Sequence, residues 1–120
     1  MHLYSFEKLN VWQDSRKLVK EIYLLTEQFP KNELFSLTNQ LRRATISISS
    51  NIAEGSSRTS NKDQAHFYQI AYSSLMESLN QIIISNDFEF IDNDSAIKFR
   101  NTVEKIANEL NALRKSRLNA

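Results

Sequence analysis

Residues 41–55 read LRRATISISSNIAEG, and how that stretch folds decides the architecture of the whole chain. Around Thr45 to Ile48, β-branched residues alternate with serine, the period of a half-buried strand. A longer window gives a different period. Leu34, Leu37, Leu41, Ala44, Ile48 and Ile52 recur at spacings of 3, 4, 3, 4 and 4, a helical stripe that runs straight through the apparent strand. A strand there would also need a breaker after Ala44, and the sequence has none. The spacing predicts one continuous helix over 34–54. Serine and β-branched residues make it a weak helix by propensity, so tertiary packing must hold it. Ala44, Ser47, Ser49, Ser50 and Ala53 are small enough to let a second helix approach closely. Gly55 stands where a left-handed C′ glycine would end it.

The same period extends on both sides. Over 7–29, Val11, Leu18, Ile22, Leu25 and Phe29 fall on one helical face, widened by Leu9, Trp12 and Val19. Acids and bases mix on the outer face, and Pro30 stops the helix. After the loop GSSRTSNKD, Ser60 and Asp63 have the spacing of a capping box, with Asp in place of Glu. A third helix follows over 61–85, with Phe67, Ile70, Ala71, Leu75, Leu79 and Ile82 inward. SNDFEFIDND breaks it, and Asp92 or Asn93 caps a fourth helix over 93–118. There Ala96, Phe99, Val103, Ile106, Leu110 and Leu113 form a heptad-like seam. Four amphipathic helices joined by short links predict an all-α, antiparallel up-down-up-down four-helix bundle in a single domain, 1–120.

Composition agrees. One glycine and one proline in 120 residues is too little punctuation for a sheet protein, which needs a turn every few residues. The absence of cysteine excludes disulfides and thiolate metal sites and suits a reducing cytoplasm. The opening residues lack the basic-then-apolar order of a signal peptide, and no apolar run is long enough to span a membrane. A formal net charge of +1 says nothing by itself about partners.

Catalytic patterns are missing. A di-iron bundle needs Glu-x-x-His on two facing helices, and no Glu here has a His three residues on. Asp63 and His66 are i,i+3 neighbours, which reads as a surface pair because two ligands do not define a metal site. There is no nucleophile elbow, and a lone glycine cannot make a phosphate-cradling loop. No enzymatic role, cofactor or metal is expected.

Two basic features remain. Arg42 and Arg43 flank core position Leu41, and Arg58 follows in the loop. Arg114, Lys115 and Arg117 close the chain with no acid after Glu109. Both have plain structural explanations: arginines can lay their stems over a core edge, and cations favour a helix C-terminus. Neither cluster is dense enough to establish nucleic-acid binding.

QLRRA at 40–44 and SNIAEG at 50–55, with Arg58 beyond, carry a resemblance to the 23S ribosomal RNA intervening-sequence proteins. VWQ at 11–13, IY at 22–23, FP at 29–30 and Glu33-x-x-Ser36-Leu37 agree in order and spacing. The chain departs from that family at Phe35-Ser36-Leu37, where Tyr-Gly-Leu is usual, at Ser73, where glycine is usual, and at Leu79, where an acid is usual. The resemblance implies a bacterial four-helix bundle assembled as a homopentameric ring, with no enzymatic activity. It also implies kinship with accessory proteins of diversity-generating retroelements, which engage a reverse transcriptase and nucleic acid.

Two readings of function follow. In one, the protein is an oligomeric RNA- or DNA-associated accessory factor, with Arg42, Arg43, Arg58, Arg114, Lys115 and Arg117 as candidate phosphate contacts. In the other it is a protein-interaction scaffold with no nucleic-acid role. At least one arginine is expected to fix register instead, paired with an acid such as Glu54 or Glu77. Ile46, Tyr68, Tyr72 and Met76 lie off the inward stripes of the second and third helices and are the expected subunit interface.

Overall fold

The computed structural model describes all 120 residues. Four helices carry the fold: α1 (Asn10–Thr26), α2 (Asn39–Ser57), α3 (Asn61–Asp87) and α4 (Asn93–Leu118). There is no strand, and the stretch at 41–55 is helical throughout. Paired residues fix the directions. Thr26 meets Arg42 while Ser5 meets Ser56, so α2 runs antiparallel to α1. Ser47 bonds Ser74 at 2.9 Å and Gly55 packs on Tyr68, which makes α3 antiparallel to α2. Asn86 bonds Asn93, and Arg117 lies beside Tyr68 at the far end of the same pair, so α4 is antiparallel to α3. The bundle is up-down-up-down, with α2–α3 and α3–α4 the broadest seams and α1–α4 the sparsest.

The inward stripe of α4 is as the spacing predicts: Ala96, Phe99, Val103, Ile106 and Leu110 are buried. They meet Leu18 and Ile22 of α1, Leu41, Ile48 and Ile52 of α2, and Leu75 and Ile82 of α3 in one core. Serine and threonine inside the helices are satisfied locally, which removes the cost of burying them. Thr45 donates to the Leu41 carbonyl at 3.2 Å, Ser78 to that of Ser74 at 2.9 Å and Ser85 to that of Gln81 at 2.7 Å.

The boundaries differ from expectation in three places. The segment 7–29 is not one helix. Residues Ser5–Lys8 form a separate 3₁₀ turn, because the Glu7 carboxylate folds back to accept the Tyr4 N–H at 2.8 Å, and Leu9 is extended. At the other end Phe29 remains in the core, but from a tightened turn beyond α1. The segment 34–54 is helical from its start, yet Leu34–Thr38 is π-wound, an extra residue in the turn that shifts the stripe. Leu34 is therefore exposed and Leu37 only half-buried.

Gly55 is the third correction. It does not cap α2 in a left-handed conformation; the helix continues through it to Ser57. Its role is steric. A Cβ added there would lie 2.8 Å from Cε1 of Tyr68 and 2.9 Å from Cβ of Phe67. The left-handed helix exit occurs instead after α3, at Glu89, with φ of 61°. Ser60 and Asp92 cap α3 and α4 as expected, accepting the N–H groups of Asp63 and Ser95 at 3.1 and 2.7 Å.

Candidate nucleic-acid interface

Antiparallel topology gathers at one end of the bundle the start of α1, the end of α2, the start of α3 and the end of α4. Arg58, Arg114, Lys115 and Arg117, far apart in sequence, therefore share that end. The opposite end carries the α3–α4 turn, with Asp87, Glu89, Asp92 and Asp94. Cations outnumber acids at the first end, which also holds Glu7, Glu54 and Asp63, and the acidic α3–α4 turn marks the other, which also holds Arg42 and Arg43.

Arg58 follows the last turn of α2 in an extended conformation. Its guanidinium lies over the Phe67 ring at 4.5 Å, and its carbonyl accepts from Gln64 at 2.8 Å. The loop is pinned while the charge stays exposed. Across the α3–α4 seam, Gln69, Tyr72, Asn111, Arg114, Lys115 and Leu118 line a groove of about 830 Å³. No acid lines it. Just beneath, burial pushes the Tyr68 hydroxyl above its ordinary value, and the Arg117 guanidinium beside it works against that shift. The Nε of Arg117 is buried without a partner.

Sequence reasoning missed a further basic cluster. Gln13, Arg16, Lys17 and Lys20 of α1 line a hollow of about 360 Å³, with Arg16 over the Trp12 ring at 5.4 Å. The signal was present as i, i+3, i+4, i+7 spacing, masked by acids elsewhere around the helix. The single ion pair of the chain joins Lys105 to Asp14 at 3.3 Å, so none of the basic-end cations named above is neutralised by a carboxylate. Beside that pair, burial and then Asp14 push the Glu109 carboxyl up to about 7, while Lys105 opposes them.

Arg42 and Arg43 lie at the other end. Arg42 donates from Nε to the Thr26 hydroxyl at 2.8 Å and from a terminal nitrogen to the Tyr23 carbonyl at 3.4 Å, and it covers the Tyr23 ring at 4.5 Å. It ties the end of α1 to α2, so it fixes register as expected of one arginine. Its partners are a hydroxyl, a carbonyl and a ring, not Glu54 or Glu77. Arg43 is exposed and forms no ion pair.

The expected interface stripe does not form a continuous outer surface. Tyr68 is 1% exposed, a core residue, because the missing side chain of Gly55 leaves it room. Tyr72 and Met76 are half-buried against the core. Only Ile46 is a free surface residue. His66 is exposed with its ring edge-on to Phe67, and no three His, Cys, Asp or Glu side chains come together to hold a metal. No helix is long and apolar enough to cross a membrane.

Comparison with known proteins agrees with this architecture. The model of the 23S rRNA-intervening sequence protein family matches residues 7–112. No curated protein matches the chain. A crystal structure of a protein with unknown function from the S23 ribosomal protein family of Bacteroides thetaiotaomicron superposes with a TM-score of 0.62 at 20% identity, covering 91% of this chain and 95% of that one. At that identity the likeness bears on the fold alone.

Proposed function

This chain belongs to the 23S rRNA-intervening sequence protein family, and from that premise we propose a non-enzymatic accessory protein that forms a homo-oligomer and associates with RNA or DNA through its basic end. One observation carries the reading. Arg58, Arg114, Lys115 and Arg117 converge on one end from distant parts of the chain, and none is paired with a carboxylate. Cations held in this way exchange condensed counterions for phosphates, which gives affinity with little sequence preference. The modest net charge is no objection, because the acidic α3–α4 turn, with Asp87, Glu89, Asp92 and Asp94, sits at the opposite end of a 45 Å bundle, well beyond a Debye length of about 8 Å at physiological salt. Glu7, Glu54 and Asp63 share the basic end without pairing its cations.

Binding to generic RNA, followed by fluorescence anisotropy as salt is raised, tests the proposal. With about four phosphate contacts per subunit, affinity falls on the order of 100-fold between roughly 50 and 200 mM salt. Weak binding at low salt that does not change with salt refutes it. The scaffold reading gains support from outward aromatics, above all Phe35 at 90% exposed in the π-wound turn. In that case a protein partner, such as a reverse transcriptase, is retained when RNA binding is absent.

A further inference from the structure

We infer that the α3–α4 groove is a site for one unpaired RNA strand, with a base laid on the Tyr72 ring and its flanking phosphates on Arg114 and Lys115. The inference rests on the nucleic-acid reading above and says which form of nucleic acid the basic end selects. The chemistry of the lining separates this groove from the other basic surface. The α1 hollow is lined by Gln13, Arg16, Lys17 and Lys20, three cations and one carboxamide, with no aromatic or apolar side chain in its lining. The groove adds the Tyr72 ring, the apolar Leu118 and a second carboxamide, Gln69 and Asn111 both lining it.

Those additions match what an unpaired nucleotide exposes and a duplex hides. Every base has a π-face that stacks on an aromatic ring, irrespective of sequence. Carboxamides both donate and accept, so they can meet the edge of any base. In an RNA duplex those faces are stacked and the Watson–Crick edges paired, which leaves mainly phosphates and 2′-hydroxyls to be read. At about 830 Å³ the groove is within the size range of sites that bind small organic ligands, ample for a base with its sugar. Arg117, whose Nε is buried without a partner, sits beside Tyr68, one helical turn before Tyr72. An acidic peptide would satisfy the cations and could hydrogen-bond the carboxamides, but its carboxylates offer no π-face to lay on the Tyr72 ring.

The test uses the whole protein and three fluorescent probes: oligouridine of about 15 nucleotides, its duplex with oligoadenosine, and an acidic peptide of similar charge. The wild type prefers the single strand about tenfold over the duplex. Tyr72→Ala removes most of that preference and leaves duplex binding nearly unchanged. Tyr72→Phe keeps the ring and retains the preference. Tyr72→Leu keeps apolar volume without a ring and behaves as the alanine variant does, which separates stacking from folding if alanine destabilises the helix. Arg114→Gln with Lys115→Gln lowers the salt slope on the single strand by about two contacts. Salt-dependent binding that ignores strandedness, or a Tyr72→Leu variant indistinguishable from wild type, overturns the groove assignment but not the nucleic-acid role. An acidic peptide that binds as tightly as the strand also overturns it. Absence of salt-dependent binding to either nucleic acid overturns both.

Discussion

Gly55 shows how much one missing side chain controls at the basic end. Helix propensity alone favours alanine over glycine by about 1 kcal/mol inside a helix. Here the helical conformation is ordinary, so nothing in the backbone demands glycine. The demand comes from Tyr68 and Phe67, whose atoms would sit 2.8 and 2.9 Å from an added Cβ. Tyr68 is held by the core and cannot swing away, and Phe67 carries the Arg58 guanidinium. Gly55→Ala is therefore destabilising by about 1–3 kcal/mol, the usual range for overpacking, despite its better propensity. Urea unfolding measures it, and an unchanged or raised midpoint shows that the α2–α3 seam is looser than described. The sequence marked this glycine as special but gave the wrong reason, since a lone Gly after a helical stripe reads as a cap. The contact that explains it lies across two helices and has no local signature. Apolar spacing alone places Tyr68 off the inward stripe of α3, and the room left by Gly55 lets it enter the core instead.

Among the elements, the α1–α4 seam is the one whose strength depends on pH. It is the sparsest of the four helix contacts, and its polar centre is the cluster of Asp14, Lys105 and Glu109. Burial and the neighbouring Asp14 raise the Glu109 carboxyl from 4.5 to about 7. The folded state thus holds a proton that the unfolded state releases at lower pH. Stability from this group is complete below about 4.5 and is lost as pH rises through about 7. Glu109→Gln, which keeps the shape and removes the charge, gains stability relative to wild type between pH 5 and pH 8. Paired denaturation curves at the two pH values measure that gain directly. A difference between variant and wild type that stays constant across the window refutes the assignment. Neither partner could be singled out from sequence: Asp14 and Glu109 look like ordinary outer-face acids until the helices are docked. What was legible at this scale was the stripe of α1, of α2 from Leu41 onward and of α4; on α3 the spacing names Phe67, Ile70 and Leu79, which are only half-buried, and passes over Tyr68, Ser74 and Ser78, which are buried. The 3₁₀ turn at Ser5–Lys8 and the π-wound start before α2 were not legible, since each depends on hydrogen bonds that the apolar spacing of the sequence does not record.

For the whole molecule, the polarity of charge and the proposed ring act together. In cyclic symmetry every subunit presents the same end to the same rim. If the bundle axes lie along the ring axis, all basic ends share one rim and all acidic turns share the other. Affinity for a long RNA then multiplies through effective concentration, with no new contact required. The contact that closes the ring must come from residues free on the subunit surface. That removes Tyr68 from the expected set and leaves Ile46, 40% exposed on α2, as its free member. The stoichiometry comes from the family resemblance, while the choice of face comes from exposure. Light scattering at micromolar concentration is expected to give a mass near five times 14.0 kDa. Ile46→Asp places a charge in that contact without disturbing the core, so it dissociates the ring into subunits of unchanged helicity. It also weakens binding of long RNA well beyond the loss caused by neutralising Arg58 alone, because it abolishes multivalency, whereas the Arg58 substitution removes one phosphate contact per subunit. A monomeric wild type sinks the assembly. An Ile46→Asp protein that keeps its full mass moves the interface to another face, with the exposed Phe35 as the next anchor to substitute.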